Sequence, residues 1–400
     1  RFMADNASQN KSLHRVAFKG EGGEYFSIWL VNLLLTIITL GVYSAWATVR
    51  RRRYFYGNTE LNGDRFDYHA EPIEILKGRL MVIGGVILFY ILLAIAPTLG
   101  LLVALVLLAL IPWIIIRSWR YNAIMTSYRG VRFNYHCQTG QAYWALLFCP
   151  LLLILGLYAV IIVMAMFLGS VASTPSTAIT LIVVSAILLV PLLAVINGIV
   201  STLQHSLYVN NLYFGNSSFI STLKKSAFIK IAFFSVLIFI PFFFVAMMFA
   251  GAFFADLFQS ALNGSIANEN KTAMLIIQNA SNLLFMMLML LLGTMVSSSY
   301  RIVAQRNYLF SQTTLQGDIK LRSSMKLLSY MGLLMTNSLI TVCSLGLATP
   351  IAEVRHARYM ANATEIEGDL SLLNIHAHQD TANSALAEEA VQALDLGTGF

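Results

Sequence analysis

The chain has 400 residues, 58% of them hydrophobic and only 11% charged, with a formal net charge of +7. Soluble domains carry about 25% charged residues, so this composition excludes a water-soluble protein. Several apolar runs exceed the ~20 residues that cross a bilayer core, and the chain reads as a mainly α, polytopic membrane protein. The positive balance then needs no nucleic-acid partner. The three cysteines, Cys137, Cys149 and Cys343, show neither metal nor redox spacing. The chain starts at Arg1 rather than Met and reads as trimmed there, with no signal peptide in residues 1–24.

In chain order, residues 1–24 read as a cytoplasmic segment with one strand in "VAFKGEGGEYF". An apolar segment, 25–49, runs into Arg50–Arg53. Leu80–Ile116 is uncharged and broken at Pro97-Thr98-Leu99-Gly100, which predicts two helices with a tight turn. Gln138–Gln204 is also uncharged and is broken by "GSVASTPST", predicting two more. Ile231–Ala255 and residues 273–300 make a third pair, joined by "DLFQSALNGSIANENK". A second short apolar segment covers 327–352, and an acidic tail, 374–400, reads as an amphipathic helix with a frayed end. Residues 25–373 are thus expected to form a single integral membrane domain.

Of the 26 Lys and Arg residues, only Lys271 falls between the two members of a helix pair. Positive residues mark the cytoplasmic side, so the connections between pairs, and both termini, are expected there. The simplest reading of Arg50–Arg53 is stop-transfer charge at a membrane boundary.

Those connections repeat. Shifted by 305, residues 32–64 align without gaps to 337–369: Asn32 with Asn337, Thr36 with Thr341, Gly41 with Gly346, Arg50 with Arg355, and Arg53-Tyr54 with Arg358-Tyr359. A shift of 67 brings Trp46, Arg50 and Arg53-Tyr54 onto Trp113, Arg117 and Arg120-Tyr121. A shift of 254 brings Tyr54, Thr59, Leu61 and Gly63-Asp64 onto Tyr308, Thr313, Leu315 and Gly317-Asp318, and a shift of 153 adds a weaker copy. Each unit reads as a helix end, an Arg/Tyr exit and a small β-hairpin, near 58–68, 125–135, 211–221, 312–322 and 363–373. "TELNGDRFDY" carries the Asn-Gly turn of a hairpin. A lone hairpin is barely stable in water, so five on one face are expected to pair into a shared sheet or ring; the alternative is five separate hairpins lying on helix ends.

If the segments 25–49 and 327–352 each crossed the bilayer once, their hairpins could not share one face. Both are therefore expected to be re-entrant or short helical hairpins bent at Gly41 and Gly346, beside six full transmembrane helices. The alternative is eight ordinary spans.

The stretch "FKGEGGEYFSIWLVNLLLTIITLGVYSAWATVRRRRYFYGNTELNGDRFDY" resembles the YjgN-like family of bacterial inner-membrane proteins. The shared pattern is a Phe-x-Gly start, Asn and Thr in an apolar segment, Thr-Leu-Gly-x-Tyr, a Trp and an Arg-Tyr exit. The later copy departs from it at Ala348 and Ile351. The resemblance implies a bacterial inner-membrane location and carries no established reaction, ligand or catalytic residue.

Asn32, Thr36, Asn337, Thr341 and Asn197 are polar groups in apolar helices. They either line a polar path or make interhelical hydrogen bonds. Arg50, Arg53, Arg117, Arg120, Arg355 and Arg358, beside Tyr54, Tyr121 and Tyr359, could hold lipid head groups or an anionic solute. Alternatively they set topology and pair with Asp64 or Asp369, Arg51 and Arg52 being additional topology charge. His69, His136, His205 and His356 lack short metal-ligand spacings, and no metal or cofactor is expected. No catalytic triad, phosphate loop or HExxH motif is present, which argues against an enzyme. The leading expectation is a transporter or channel for a small solute or ion, with a path between the two bends. The alternatives are a lipid-binding protein using the Arg/Tyr belt, and a scaffold or complex subunit that docks a protein partner on the hairpin face. Membrane lipids are expected partners in each case.

Overall fold

The computed structural model describes residues 12–171, 175–262 and 269–371. Ten short strands close into one antiparallel barrel. They are β1 (Leu13–Phe18), β2 (Thr59–Leu61), β3 (Asp64–Tyr68), β4 (Thr126–Tyr128), β5 (Val131–Tyr135), β6 (Leu212–Phe214), β7 (Ser217–Ser221), β8 (Thr313–Leu315), β9 (Ile319–Ser323) and β10 (Thr364–Glu367). Closure gives every strand a neighbour on both sides, which no isolated hairpin could do. The turns are those the glycines encode. Asn62-Gly63 and Arg129-Gly130 both have two residues at positive φ between directly paired neighbours, the geometry of a type I′ hairpin.

The hairpin expected at 363–373 does not form among the described residues. After β10 the chain turns away, and β1 takes the second-strand place, pairing Leu13 with Glu367 and Arg15 with Glu365. On its other half β1 pairs Val16 with Leu61 and Phe18 with Thr59. The strand foreseen near the N-terminus therefore completes the fifth hairpin and closes the ring.

Between strands the chain makes helical excursions that leave and return to the barrel. They are α1 (Gly22–Ile38), α2 (Ser44–Gly57), α3 (Pro72–Ile95), α4 (Pro97–Met125), α5 (Thr139–Tyr143), α6 (Cys149–Val171), α7 (Pro175–Asn210), α8 (Lys225–Leu262), α9 (Glu269–Gln278), α10 (Ala280–Ser311), α11 (Leu327–Cys343) and α12 (Thr349–Asn362). A π-helical turn, Trp144–Phe148, joins α5 to α6. Among the described residues, six helices are long and apolar enough to cross a membrane. The expected span at 273–300 is interrupted at Asn279, where α9 ends and α10 begins.

The helices stand in a ring whose order follows the strands: α4, α3, α2, α1, α12, α11, α10, α8, α7, and back to α4 through α5 and the π turn. A single-layer ring buries little of its own surface. Leu80, Met81, Tyr90, Leu101 and Leu152 point outward and are more than half exposed. That much contiguous apolar surface requires a lipid solvent. Inside the ring, small and polar groups fix the contacts. Gly198 lets α7 meet α8 so closely that an added Cβ would stand 2.6 Å from the Ile229 Cα. Ser235 on α8 and Ser297 on α10 hydrogen-bond each other at 2.8 Å.

The two outer segments are pairs of short helices. α1 and α11 have 17 residues each, and α2 and α12 have 14 each, in register with the shift of 305. Their bends are congruent. Leu40 and Gly41 have φ of 50° and 92°, Leu345 and Gly346 have 53° and 89°. The Gly41 and Gly346 amides each donate to a carbonyl five residues back, Thr36 and Thr341, at 2.8 Å, the closing bond of a Schellman C-cap. A leucine in the left-handed region is costly, yet both repeats keep it, with Leu40 95% and Leu345 94% exposed. At 1.5 Å per residue α2 is about 21 Å long and the 29-residue α4 about 43 Å. The bend at Gly41 thus lies roughly halfway along the neighbouring long helices.

The barrel lumen is a packed core. Leu61, Phe66, Tyr128, Phe133, Phe214 and Ile319 fill it with their neighbours, leaving an apolar void of about 70 Å³. The same cluster continues into Tyr25, Tyr54 and Val354, so the short helices plug the end of the barrel from which the helices leave.

Candidate functional site

The Arg/Tyr exit is a connector between helix ends and barrel. α2 ends where β2 begins, and Tyr54 on its last turns is stacked on Tyr25 of α1 at 5.0 Å. The Tyr54 hydroxyl accepts the Glu21 amide at 2.9 Å, satisfying a free donor at the start of α1. Burial pushes this phenol up to about 12, with the Glu24 carboxylate adding to the shift and the Glu21 amide opposing it. Two other units use the same device. Tyr308 accepts the Lys224 amide before α8 at 2.9 Å, and Tyr359 accepts the Lys326 amide before α11 at 3.2 Å. Tyr121 is 2% exposed in the corresponding place on α4.

The arginines next to them hold linkers. Arg53 donates to the carbonyls of Tyr68 and Ala70, both at 3.2 Å. Arg358 donates to the Gly20 carbonyl at 2.8 Å. Gly20 follows β1 by two residues, as Ala70 follows β3, which makes β1 the structural counterpart of β3. Arg117 lies over the Trp113 ring at 4.5 Å, and Arg120 is exposed. Arg51 and Arg52 do more than add charge. Arg51 donates to Glu353 at 3.1 Å, and Arg52 bonds the Tyr68 hydroxyl at 2.7 Å and the Asn122 side chain. Neither Asp64 nor Asp369 receives these arginines. Asp64 pairs with Arg129, and Asp369 accepts the Ser371 amide, which with the Ser371 hydroxyl lowers its carboxyl.

The bent segments bring their polar residues together within each hairpin. In the first, Arg50 of α2 reaches Asn32 of α1 at 3.4 Å and the Tyr43 hydroxyl at 3.1 Å. Thr36 donates to the Asn32 carbonyl at 2.6 Å. In the second the same residue types are arranged differently. Arg355 donates to Thr336 at 3.0 Å, and Asn337 donates to the Ala352 carbonyl at 3.1 Å. This leaves Asn337 Oδ1 and Arg355 Nη1 buried with no hydrogen-bond partner. Thr341 sits at the bend, its carbonyl accepting the Gly346 amide. Asn32 and Asn337 are 7% and 9% exposed. Asn197 is not part of this group. It is exposed on α7, a helix that contacts α6 and α8, and accepts a bond from Ser201 at 3.5 Å.

The two hairpins meet along α1 and α12. Glu353 of α12 crosses this seam, accepting Tyr25 at 3.0 Å and Arg51 at 3.1 Å. Arg79 of α3 crosses the other flank, reaching Ser44 at 2.5 Å and Thr48 at 2.8 Å on α2. Neither residue stands out in the sequence: Thr48 takes the position of Glu353 in the first copy, and Arg79 sits at the edge of an apolar run. Among the described residues no three His, Cys, Asp or Glu side chains converge on a metal geometry. His376, His378 and the tail lie outside the described residues.

The chain matches the family model described as "Bacterial protein of unknown function (DUF898)" over residues 13–393. It is 30% identical over 374 residues to the inner membrane protein YjgN of Salmonella typhimurium, covering 92% of both chains. It is 32% identical over 364 residues to the inner membrane protein YjgN of Escherichia coli O157:H7, covering 89% of both. No solved structure matches it. With six apolar helices long enough to span a bilayer and relatives of this length and name, the chain is a multi-pass inner-membrane protein that belongs to the DUF898 family.

Proposed function

We propose that the chain is a transporter or channel for a small solute or ion. The barrel lies on the cytoplasmic face, and the hairpins α1/α2 and α11/α12 re-enter the membrane from it to half depth. The observation that carries the reading is the mismatch between two otherwise congruent copies: Arg50 meets Asn32, whereas Asn337 Oδ1 and Arg355 Nη1 are buried without partners. Unpaired polar groups in a low-dielectric setting cost about 1–3 kcal/mol each. They persist where a ligand, an ion or water completes them in another state. Equivalent residue types in two arrangements, one in each copy, support a reading in which each copy can switch between them, as alternating access needs. The apolar tips at Leu40 and Leu345 suit lipid, and the packed barrel core leaves the seam between hairpins as the route.

The test is flux through proteoliposomes, assayed for glycerol, small sugars, amino acids and alkali cations. Asn337→Leu and Asn32→Leu are expected to cut the wild-type flux of one of these at least about ten-fold without loss of folded protein. Wild-type flux equal to empty liposomes across the set, or flux indifferent to both variants, refutes the proposal. Topology is read in parallel from single-cysteine variants lacking the native thiols. Arg65→Cys should label only from the cytoplasmic side and Leu40→Cys from neither; labelling of Leu40→Cys from the periplasm would reject re-entry.

A further inference from the structure

Four units place a polar side chain at the position of Arg53, and three use it to tie down the linker that follows a barrel strand. Arg53 takes the Tyr68 and Ala70 carbonyls, and Arg358 takes that of Gly20. Asn307 does the same on α10, exchanging two bonds with the Met325 backbone at 3.0 and 3.3 Å. Arg120 is the exception. The shift of 67 makes Tyr135 and Cys137 its expected carbonyl partners, and neither is reached. Arg120 is exposed, and its guanidinium makes no hydrogen bond among the described residues.

In place of those bonds there is a cavity of about 430 Å³ between Arg120 and its linker, on the outer wall of the barrel. His136, Gln138, Gln141, Asn211 and Tyr213 line it, and no carboxylate does. The site thus holds one uncompensated cation, an imidazole and a set of neutral side-chain donors. Burial, reinforced by the charge of Arg120, lowers the His136 imidazole, which leaves the Arg120 guanidinium as the cation that meets an entering anion. A planar guanidinium with free N–H groups matches the oxygens of a phosphate ester.

A second cavity adjoins the same helix. Ile115, Trp119, Leu146, Gln204, His205 and Tyr208 line about 420 Å³ of mostly apolar surface on the α7 side of α4. The rings of Trp119, Tyr135 and Tyr208, packed at 5.0–6.0 Å from one another, form a shared rim, Tyr135 lining the first space and Trp119 and Tyr208 the second. The π turn at Trp144–Phe148, a distortion that recurs at functional sites, borders the apolar cavity through Leu146. A polar cavity beside an apolar one, at one level of a membrane helix, fits a phosphate head group and the start of its acyl chain.

The geometry points to a binding site under Arg120 for a phosphate-bearing anion, filled from the bilayer by a lipid head group. The site is separate from the bent hairpins and stands whether or not they conduct.

The full chain, purified in detergent and delipidated, is tested with phosphatidylglycerol by native mass spectrometry and with sodium phosphate by titration calorimetry. Wild type is expected to retain one phosphatidylglycerol, about ten-fold more weakly in Arg120→Gln and with an intermediate loss in Arg120→Lys. Arg53→Gln should leave lipid affinity unchanged while lowering the melting temperature, because its bonds are structural. Sodium phosphate should neither bind measurably nor displace the lipid at millimolar concentration. Phosphate binding that depends on Arg120 without lipid binding upholds the anion site and overturns the lipid as its source. Lipid and phosphate binding both unaffected by Arg120→Gln, in protein that melts like wild type, overturns the site.

Discussion

Glu353 offers a direct measure of what holds the two bent hairpins together. Its carboxylate accepts the Tyr25 hydroxyl, on a residue only 1% exposed, and the Arg51 guanidinium, whose side chain is 56% exposed. The two bonds should differ in worth. A buried hydrogen bond to a charged group contributes about 1.5–3 kcal/mol, whereas an ion pair open to solvent contributes about 0–1 kcal/mol. Glu353→Ala removes both and strands a buried hydroxyl, for an expected loss of about 2–4 kcal/mol. Glu353→Gln keeps an acceptor for Tyr25 and should cost about 1 kcal/mol, near the net worth of a neutral hydrogen bond. Arg51→Ala should cost under about 1 kcal/mol. The assay is unfolding in mixed micelles titrated with sodium dodecyl sulfate, followed by tryptophan fluorescence. A double-mutant cycle with Tyr25→Phe then isolates the pair, and a coupling of at least about 1 kcal/mol is expected. The reasoning fails if Arg51→Ala costs as much as Glu353→Ala, or if the Tyr25–Glu353 coupling is near zero.

Three further outcomes follow from the bends and the exits. Gly41→Val should destabilise by at least about 1–2 kcal/mol through backbone conformation alone, since open space surrounds the position a Cβ would take. Gly332→Ala, equally uncrowded but inside α11, should instead stabilise by about 0.5–1 kcal/mol in the same micelle titration. The raised Tyr54 phenol makes stability depend on alkali. Its folded value of about 12 lies above the unfolded value near 10, so its contribution is intact below pH 10 and is lost as pH rises through 12. Tyr54→Phe should be less stable at pH 8, and its melting temperature should fall less steeply than wild type between pH 10 and 12. Parallel pH profiles for the two proteins would exclude this role.

The sequence by itself determined the elements and their repetition. The apolar runs defined the six long helices, because crossing a bilayer core takes ~20 uncharged residues whatever their neighbours are. The Asn-Gly and Arg-Gly turns specified hairpins, because two consecutive positive φ angles are a local demand on the chain. The shift of 305 already paired Leu40-Gly41 with Leu345-Gly346 and so marked both bends. What only the tertiary structure decided was partnership. β1 and β10 lie at opposite ends of the described chain, and no local signal says that one completes the hairpin of the other. Arg53, Arg120 and Arg358 are equivalent in sequence, yet two are tied to carbonyls and one stands over a cavity. Glu353 and Arg51 become a seam only once α1 lies beside α12. A repeat dictates the unit; the closed ring, which must satisfy every edge at once, dictates which copy of a side chain is consumed in construction and which is left free to bind.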